Sequence, residues 1–406
     1  MSLYAPLLIG LVALLAGLAI GKAWERYKLR YGQWIDRRKA RESPHFIVGL
    51  DLVVANQIDR AIDELSRAAW LDEDALEIHL VLGNLYREKG QVGRAINIHQ
   101  ALLQRPRLKP LEHAYILLCL GLDYRRGGFV DRAYEAFKEV LRLDPRNRHA
   151  LMQLEKLHEE QHQWAEAYDV RSQLAEIEGA PRKARHEAIL AFLENELGEE
   201  ALRQGDRAAA VKRFEAAIER DRTAAPAYLH LGDVYAQEEN LPLAIETWET
   251  LVELIPERAY LAFDRLQAAS NTAGTPQRFV DLCRRIVATN SQDWRARLAL
   301  ARHRSSAGDA AGAVELLFEA LTHNPHALVI HQEIWKAFST LGRPPQLVER
   351  YLTLTRDAVF YLDPHVCVRC RYRSTELLWQ CPQCHEWNTF IEERIAPAKD
   401  DEQLSA

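Results

Sequence analysis

Apolar residues between Ala114 and Pro145 recur three or four positions apart, in two short runs. Leu120 and Tyr124 share one helix face in the first run, and Phe137 and Val140 share one in the second. Two adjacent glycines separate the runs, and glycine adopts a positive φ in a turn at little cost. A proline follows the second run and cannot continue a helix. The pattern predicts two short helices joined by a tight turn.

The same pattern returns along the chain with a period of about 34 residues. One fixed position of each first helix is held by Gly49, Gly83, Gly121, Glu155, Gly198, Gly232, Gln267, Ala301 and Trp335. Twelve residues later stand Ala61, Ala95, Ala133, Ala167, Ala210, Ala244, Phe279, Ala313 and Leu347. This spacing resembles the tetratricopeptide repeat, in which stacked hairpins complete one another's cores. It predicts an all-α solenoid of about nine repeats over residues 42–360. The long interval that contains Pro181 predicts a hinge.

An uncharged apolar run from Leu3 to Gly21 precedes the repeats. At about 1.5 Å per residue it spans roughly 28 Å, close to the hydrocarbon thickness of a bilayer. No Lys or Arg precedes Leu3, so a cleaved signal peptide is disfavoured, and a basic stretch at 22–41 follows instead. We expect residues 1–21 to form a single transmembrane helix, with the N-terminus outside and everything after it in the cytoplasm. The basic linker either sets this topology or also binds anionic headgroups.

Two surfaces are candidates for contacts with other proteins. Ala13, Gly17 and Gly21 form a stripe of small residues on the membrane helix, which would allow close packing with a second copy or with another membrane protein. The inner face of a tetratricopeptide stack is lined by the first helix of each pair and usually binds partner segments. The candidate residues on that face are Tyr115, Leu118, Leu122, Arg125, Arg126 and Arg87.

Four cysteines near the C-terminus form the most specific sequence motif of the chain. Cys367 and Cys370 form one CxxC pair, and Cys381 and Cys384 form a second pair after ten intervening residues. Each pair can direct two thiolates at one ion, and four thiolates suit Zn²⁺ or a single iron. Two disulfides are disfavoured because the predicted topology places this domain in the reducing cytoplasm. We therefore predict one bound zinc, with iron as the alternative, in a domain at 361–395 followed by a flexible tail at 396–406.

This segment resembles the rubredoxin-like zinc ribbon. We expect Leu378, Trp379 and Trp387 to form its small core, with the metal supplying the folding energy that so short a segment lacks. The positions after the second cysteine of each pair usually hold glycine in rubredoxin, and here they hold Arg371 and His385. That departure favours a structural zinc over electron transfer through iron. The ribbon is expected to cap or brace the last repeats.

The net charge and the remaining motifs argue against two classes of function, nucleic-acid binding and catalysis. The 406-residue chain has a net charge of −6, which argues against a non-specific nucleic-acid binder. His158 and His162 match the zinc-protease pattern H-E-x-x-H, but His158 falls on an interior packing position of its repeat and His162 where the helix should end. Cys119 and Cys283 lie on repeat helices as core cysteines. The sequence contains no Walker loop and no G-x-S-x-G elbow, so an enzyme is not expected.

The order of anchor, repeats and ribbon, together with the stretches YLDPHVCVRC and LLWQCPQCHEW, resembles the lipopolysaccharide assembly protein B family of Gram-negative bacteria. The resemblance implies a non-enzymatic adaptor of the inner membrane, with its N-terminus in the periplasm. Such an adaptor brings the lipid A pathway deacetylase LpxC to the membrane protease FtsH, and a membrane regulator relieves this brake. The alternatives are a membrane-tethered rubredoxin-type electron carrier, a general scaffold for envelope assembly proteins, and a nucleic-acid-binding ribbon.

Overall fold

The computed structural model describes residues 43–71, 75–106, 108–356 and 365–393. Within these ranges the chain forms eighteen α-helices followed by a small three-stranded sheet. The helices are α1 Pro44–Val54, α2 Ile58–Leu71, α3 Leu76–Glu88, α4 Val92–Leu103, α5 Pro110–Arg126, α6 Val130–Leu143, α7 Arg148–Glu160, α8 Trp164–Glu178, α9 Lys183–Arg203, α10 Arg207–Arg220, α11 Ala225–Gln237, α12 Leu241–Leu254, α13 Phe263–Thr272, α14 Pro276–Thr289, α15 Trp294–Ser306, α16 Ala310–His323, α17 Leu328–Leu341 and α18 Pro345–Leu354. The strands are β1 His365–Cys367, β2 Arg373–Ser374 and β3 Phe390–Glu392.

The predicted repeat phase is confirmed in the described part of the chain, where the helices follow one another as nine successive pairs. Gly121 lies in α5 and is buried, and Ala133 lies in α6 and is fully buried. One pair departs from the pattern, because a 3₁₀ helix at Pro256–Ala262 precedes the short helix α13. The fourth and fifth pairs are joined by a second 3₁₀ helix at Ala180–Arg182, next to the predicted hinge at Pro181.

A glycine on a first helix makes room for a large side chain of the second helix. A Cβ added at Gly121 would lie 2.5 Å from Cε1 of Phe137, closer than real Cβ contacts come. The same relation, sixteen residues apart, holds for Gly49 with Leu65, Gly83 with His99, Gly198 with Phe214 and Gly232 with Trp248. In five of the nine pairs the backbone of the first helix therefore contacts a large side chain of the second helix at this position. A glycine leaves room for that side chain, which explains why glycine stands there.

The chain divides into two compact units, Met1–Gln161 and His162–Ala406. The boundary lies between α7 and α8, ahead of Pro181, where the sequence predicts the hinge. Within the first unit, Phe137 and Val140 are fully buried in the core of the third pair. Within the second unit, Trp248 and Leu251 lie in a core that extends from α11 to α15.

Several predictions fall on residues outside the described ranges. These are the membrane helix at 1–21 with its stripe Ala13, Gly17 and Gly21, the basic linker at 22–41 and the tail at 396–406. Among the helices that the structure describes, none combines the length and the apolar character needed to cross a bilayer.

Candidate metal centre

The two cysteine pairs occupy two turns of the same shape. In the first turn the backbone N–H of Arg371 donates to the carbonyl of Cys367 at 2.9 Å, and in the second that of His385 donates to the carbonyl of Cys381 at 2.8 Å. The central strand β1 pairs antiparallel with β2 on one side and with β3 on the other, and Cys367 lies opposite Phe390. The sheet therefore fixes the first cysteine, and the turns bring the second cysteine of each pair back towards it.

Arg371 and His385 adopt the left-handed backbone conformation that glycine favours, with φ of 64° and 54°. This conformation costs a non-glycine residue on the order of 1 kcal/mol. The conformation that glycine favours is thus kept at both positions although glycine is not. That zinc rather than iron occupies the site stays a prediction.

The four sulfur atoms converge on one point. The Sγ atoms of Cys367 and Cys384 are 3.7 Å apart, those of Cys370 and Cys381 are 3.5 Å apart, and all four lie within 4.8 Å of one another. A tetrahedral Zn²⁺ with bonds of about 2.3 Å would place its sulfurs about 3.8 Å apart. The cysteines are not joined by disulfides. The donor set therefore fits a single tetrahedral metal ion.

The acidities of these thiols show why a cation belongs among them. Burial raises the pKa of Cys367, but hydrogen bonds with Thr389 and with the backbone of the first turn outweigh it and hold the pKa at about 6. Burial raises the pKa of Cys384 to about 12, and the neighbouring cysteine sulfurs add to the shift. Four thiolates cannot share this volume without a positive ion, because each added negative charge opposes the next.

The core of the ribbon differs from the predicted one. Phe390 is fully buried against the cysteines, with Leu377 and Leu378 packed beside it. Leu378 therefore belongs to the core as predicted, whereas Trp379 and Trp387 do not. Both indoles turn outward onto helix α9, where each packs against the ring of Phe192.

The ribbon is attached to the helices of the second unit by aromatic rings and arginines. Trp387 also packs edge-on against Trp164 of α8, with ring centroids 6.2 Å apart. Arg258 donates to the carbonyl of Phe390 at 3.0 Å and lies over the ring of Trp379. Two further ion pairs join Arg185 to Glu386 and Arg295 to Glu392.

The ribbon thus packs on α8, α9, the 3₁₀ helix that precedes α13, and α15. The prediction that it braces the last repeats is confirmed only at the eighth pair, where Arg295 pairs with Glu392, because the other contacts lie on the fourth and fifth pairs and just before the seventh. The physical reason is that the outward-facing indoles need a buried apolar partner, and Phe192 and Trp164 provide it.

The other candidate metal and thiol residues have structural roles. His158 is buried on α7 and packs edge-on against Tyr134, whereas His162 follows the end of α7 with a φ of 56°. The motif therefore does not lie on one helix, as the repeat phase predicts. Cys119 and Cys283 are buried, and burial raises the pKa of their thiols to about 11 and about 12. Among the described residues, the four ribbon cysteines are the only group of three or more potential metal ligands.

Some residues of the predicted partner surface in the first unit belong instead to a network of hydrogen bonds between neighbouring repeats. The carboxylate of Asp123 is fully buried, and it accepts a hydrogen bond from Arg87 at 2.9 Å and lies 2.5 Å from Nδ1 of His99. Leu118 is buried in the core of the third pair, which corrects the prediction that it lies on a binding surface. Arg87 is largely engaged by Asp123, a partner that sequence periodicity did not reveal.

The remaining predicted surface residues differ in how accessible they are. Tyr115 is about half exposed and Arg126 is exposed. Leu122 is half-buried against the core of the third pair. Arg125 bonds to Gln153 at 2.6 Å and pairs with Glu160, so it joins α5 to α7. Tyr115 and Arg126 are therefore the members of this set that stay available to a partner.

A groove at the last helix pair was not expected from the sequence. Its volume is about 570 Å³, and it is lined by Leu328, His331, Gln332, Trp335, Lys336, Ser339 and Tyr351. Trp335 occupies the position that holds glycine in five other pairs, and its ring packs edge-on against that of Tyr351, sixteen residues later, with ring centroids 5.6 Å apart. The sequence does contain a signal for this groove, because the repeat alignment places a tryptophan, Trp335, at a position that usually holds a small residue.

A tetratricopeptide-repeat protein with a four-cysteine, rubredoxin-type ribbon packed on its helices is the class that this fold and site define. Residues 365–392 match the family described as the rubredoxin metal binding domain, and residues 195–270 and 78–114 match two tetratricopeptide repeat families.

Two relatives extend the similarity to most of the chain. Lipopolysaccharide assembly protein B of Escherichia coli (strain K12) is 25% identical over 371 residues, which cover 89% of this chain and 94% of that protein. The protein of the same name from Haemophilus influenzae is 24% identical over 399 residues, which cover 92% of this chain and 96% of that protein. The resemblance to the lipopolysaccharide assembly protein B family is thereby confirmed.

Solved structures show weaker similarity. The crystal structure of MamA protein is 22% identical with a TM-score of 0.31, and the match covers 44% of this chain and 92% of that one.

Proposed function

We propose that this chain is a non-enzymatic adaptor that regulates lipopolysaccharide synthesis at the inner membrane of a Gram-negative bacterium. The observation that carries the proposal is the alignment of two lipopolysaccharide assembly proteins with nearly the whole chain, from the repeats to the ribbon. Because the homology includes both parts, the role is assigned to their combination rather than to the repeats alone.

In this proposal the solenoid binds the deacetylase LpxC and delivers it to the membrane protease FtsH. Residues 1–21 anchor the chain, so the solenoid and the protease share the same membrane. Tethering raises the effective concentration of a bound substrate near the protease to the millimolar range typical of short linkers. A membrane regulator that competes for the anchor or for the solenoid would slow the degradation of LpxC. The exposed residues Tyr115 and Arg126 and the groove around Trp335 are surfaces that a soluble partner can reach.

Cys367, Cys370, Cys381 and Cys384 would hold one metal ion, for which we propose zinc. Its role is structural. Four thiolates close the coordination shell and leave no open position for a substrate. The ion gives the ribbon a fixed shape, and Trp379 and Trp387 then present that shape to the helices of the second unit.

The proposal is tested by following LpxC in cells. Cells that lack this chain are expected to accumulate LpxC because its degradation slows, and the full chain supplied on a plasmid should restore its normal half-life. A chain that lacks residues 1–21 should be expressed and folded but should not restore it. An unchanged half-life of LpxC in cells without this chain would overturn the adaptor role, and restoration by the truncated chain would overturn the need for the anchor.

A rubredoxin-type electron carrier is a second candidate, since Arg371 and His385 keep the positive φ that glycine favours at those positions. An iron–thiolate centre absorbs visible light, whereas a zinc centre is colourless. The full chain purified from its own host and analysed for both metals separates the two. Reversible bleaching of a visible band on reduction would favour the carrier.

A further inference from the structure

One short segment of the ribbon is bonded to both cysteine turns. The carbonyl of Glu386 accepts a hydrogen bond from the backbone N–H of Cys381, in the second turn, at 3.0 Å. The carbonyl of Thr389 accepts one from the backbone N–H of Val368, in the first turn, at 2.9 Å. The chain between these two bonds therefore connects one turn to the other. We call residues 386–390 the linking segment.

The linking segment also makes contacts with the helices of the second unit. Trp387 stacks on the buried ring of Phe192, with ring centroids 5.5 Å apart. Arg258 donates to the carbonyl of the last residue of the segment at 3.0 Å. Glu386 forms an ion pair with Arg185 at 3.4 Å. Because five consecutive residues make these contacts as well as the bonds to the cysteine turns, a shift of the segment on the helices disturbs the turns too.

Thr389 brings this segment into contact with a candidate metal ligand. Its Oγ1 lies 3.2 Å from Sγ of Cys367 and 3.4 Å from the carbonyl oxygen of Glu386. The hydroxyl has a single proton, which it can donate to one of the two. A metal-binding cysteine is a thiolate, so its sulfur only accepts, and a charged acceptor forms a stronger hydrogen bond than a neutral carbonyl. With a metal ion bound, Thr389 therefore donates to the sulfur of Cys367.

We infer that Thr389 is a positioning residue for the metal ion, and that the helices hold it against Cys367 through the linking segment. Hydrogen bonds from residues around a metal site orient the ligands and slow the loss of the ion. Retention of the ion would then depend on the attachment of the ribbon to α8 and α9, and the attachment would depend equally on the ion. The inference rests on the proposed metal ion and adds to it a dependence on the helical array.

The first test measures how fast the full chain, loaded with Zn²⁺, gives up the ion to an excess of a chromogenic chelator. Thr389→Val replaces the hydroxyl by a methyl group of similar size, and we expect release to become about tenfold faster. Thr389→Ser keeps a hydroxyl and should restore the rate of the parent chain. Thr375→Val, at an exposed position of the ribbon, is the matched control and should also keep that rate.

A spectrum separates the hydrogen bond from a packing role of the same side chain. In the chain loaded with Co²⁺, thiolate sulfurs give charge-transfer absorption bands. A hydrogen bond lowers the energy of the sulfur lone pairs, so its loss in Thr389→Val should shift these bands to longer wavelength, and Thr389→Ser should not shift them. Bands that stay in place in Thr389→Val would overturn the hydrogen bond to Cys367, even where release is faster.

A double-variant cycle tests the role of the helices. Trp387→Ala should keep its metal in the absence of chelator but release it faster than the parent chain, because the linking segment is then less firmly held. In that background Thr389→Val should add less than about threefold, since the hydroxyl is no longer positioned. The full tenfold effect in both backgrounds would overturn the dependence on the helices. An unchanged rate in Thr389→Val alone would overturn the positioning role, whereas a parent chain that binds no metal would overturn the proposed metal site itself.

Discussion

Phe192 of α9 stacks on Trp387 of the ribbon, with ring centroids 5.5 Å apart and ring planes 19° apart. Phe192 is almost completely buried, and the indole of Trp387 covers its ring. This pair gives the ribbon its position on the second unit, and the proposed metal would give the ribbon the shape that positions Trp387.

Trp387→Ala should loosen the ribbon from the helices without releasing the proposed metal, since Trp387 packs on Phe192 and Trp164, whereas the cysteines pack around Phe390. We expect the free energy of unfolding to fall by roughly 2 kcal/mol, less than for a fully buried aromatic side chain. Limited proteolysis should cut near residue 387 sooner than in the parent chain. Ile391→Ala, at a half-exposed position of β3, is the matched control and should change little. Equal proteolysis of the two variants would contradict the docking role.

Cys367→Ser should abolish metal binding, because three thiolates and a hydroxyl hold zinc far less tightly than four thiolates. The ribbon should then unfold, since its protein core is essentially Phe390 and two leucines. Elemental analysis and circular dichroism of the purified chain provide the measurement. Cys119→Ala, which removes a buried thiol far along the chain from the ribbon, should keep one metal per chain. Full metal content in Cys367→Ser would show that this cysteine is not a ligand.

Gly121→Ala should destabilise the first unit. Its Cβ would lie 2.5 Å from the ring of Phe137, so the buried ring or one of the two helices must shift, and overpacking typically costs 1–3 kcal/mol. Gly93→Ala in α4 is the control, because a Cβ there meets no atom within 4 Å. It should stabilise the chain by about 0.5 kcal/mol through helix propensity. Urea unfolding of both variants measures the difference, and a neutral Gly121→Ala would show that α5 and α6 have room to separate.

Arg87→Ala distinguishes a packing role from a partner-binding role. It leaves the buried carboxylate of Asp123 without its guanidinium, and breaking such a pair costs roughly 3 kcal/mol. Arg126→Ala, at an exposed site, should stay within about 0.5 kcal/mol of the parent chain. Thermal unfolding of the two variants is the measurement. Equal melting temperatures would return Arg87 to the list of candidate contact residues.

Glu196 of α9 should make stability depend on pH. Burial raises its pKa to about 7, and the carboxylate of Glu199 adds to the shift. Between pH 4.5 and 7 the folded chain therefore keeps a proton that the unfolded chain has lost. The free energy of unfolding consequently falls as pH rises through this range and is constant above it.

Glu196→Gln should remove this dependence and stabilise the chain at pH 8 by about 2 kcal/mol, because glutamine carries no charge to bury. Glu219→Gln, at an exposed position of α10, is the control. Chemical unfolding at pH 5, 7 and 8 gives the three free energies for each variant. A pH dependence that persists in Glu196→Gln would assign it to another group.

Local features of this protein could be predicted from spacing alone. The helix pairs follow from apolar residues three and four positions apart, and their phase follows from glycine and alanine at fixed positions. The cysteine cluster follows from two CxxC pairs, since each turn needs only the few residues around it. The repeat phase also predicted that the H-E-x-x-H match is interrupted at the end of α7, and the structure agrees.

The tertiary structure decided which distant residues meet. Trp379 and Trp387 could have filled the ribbon or packed on the array, and only the presence of Phe192 and Trp164 on neighbouring helices selects the second outcome. Arginine is usually found on the surface, but Arg87 forms an ion pair with the buried Asp123 of the next repeat. Sequence spacing reports contacts within one hairpin because helix geometry fixes them. Contacts between elements far apart in the chain depend on the complementary shapes of their surfaces. The spacing of residues within one element does not predict that complementarity.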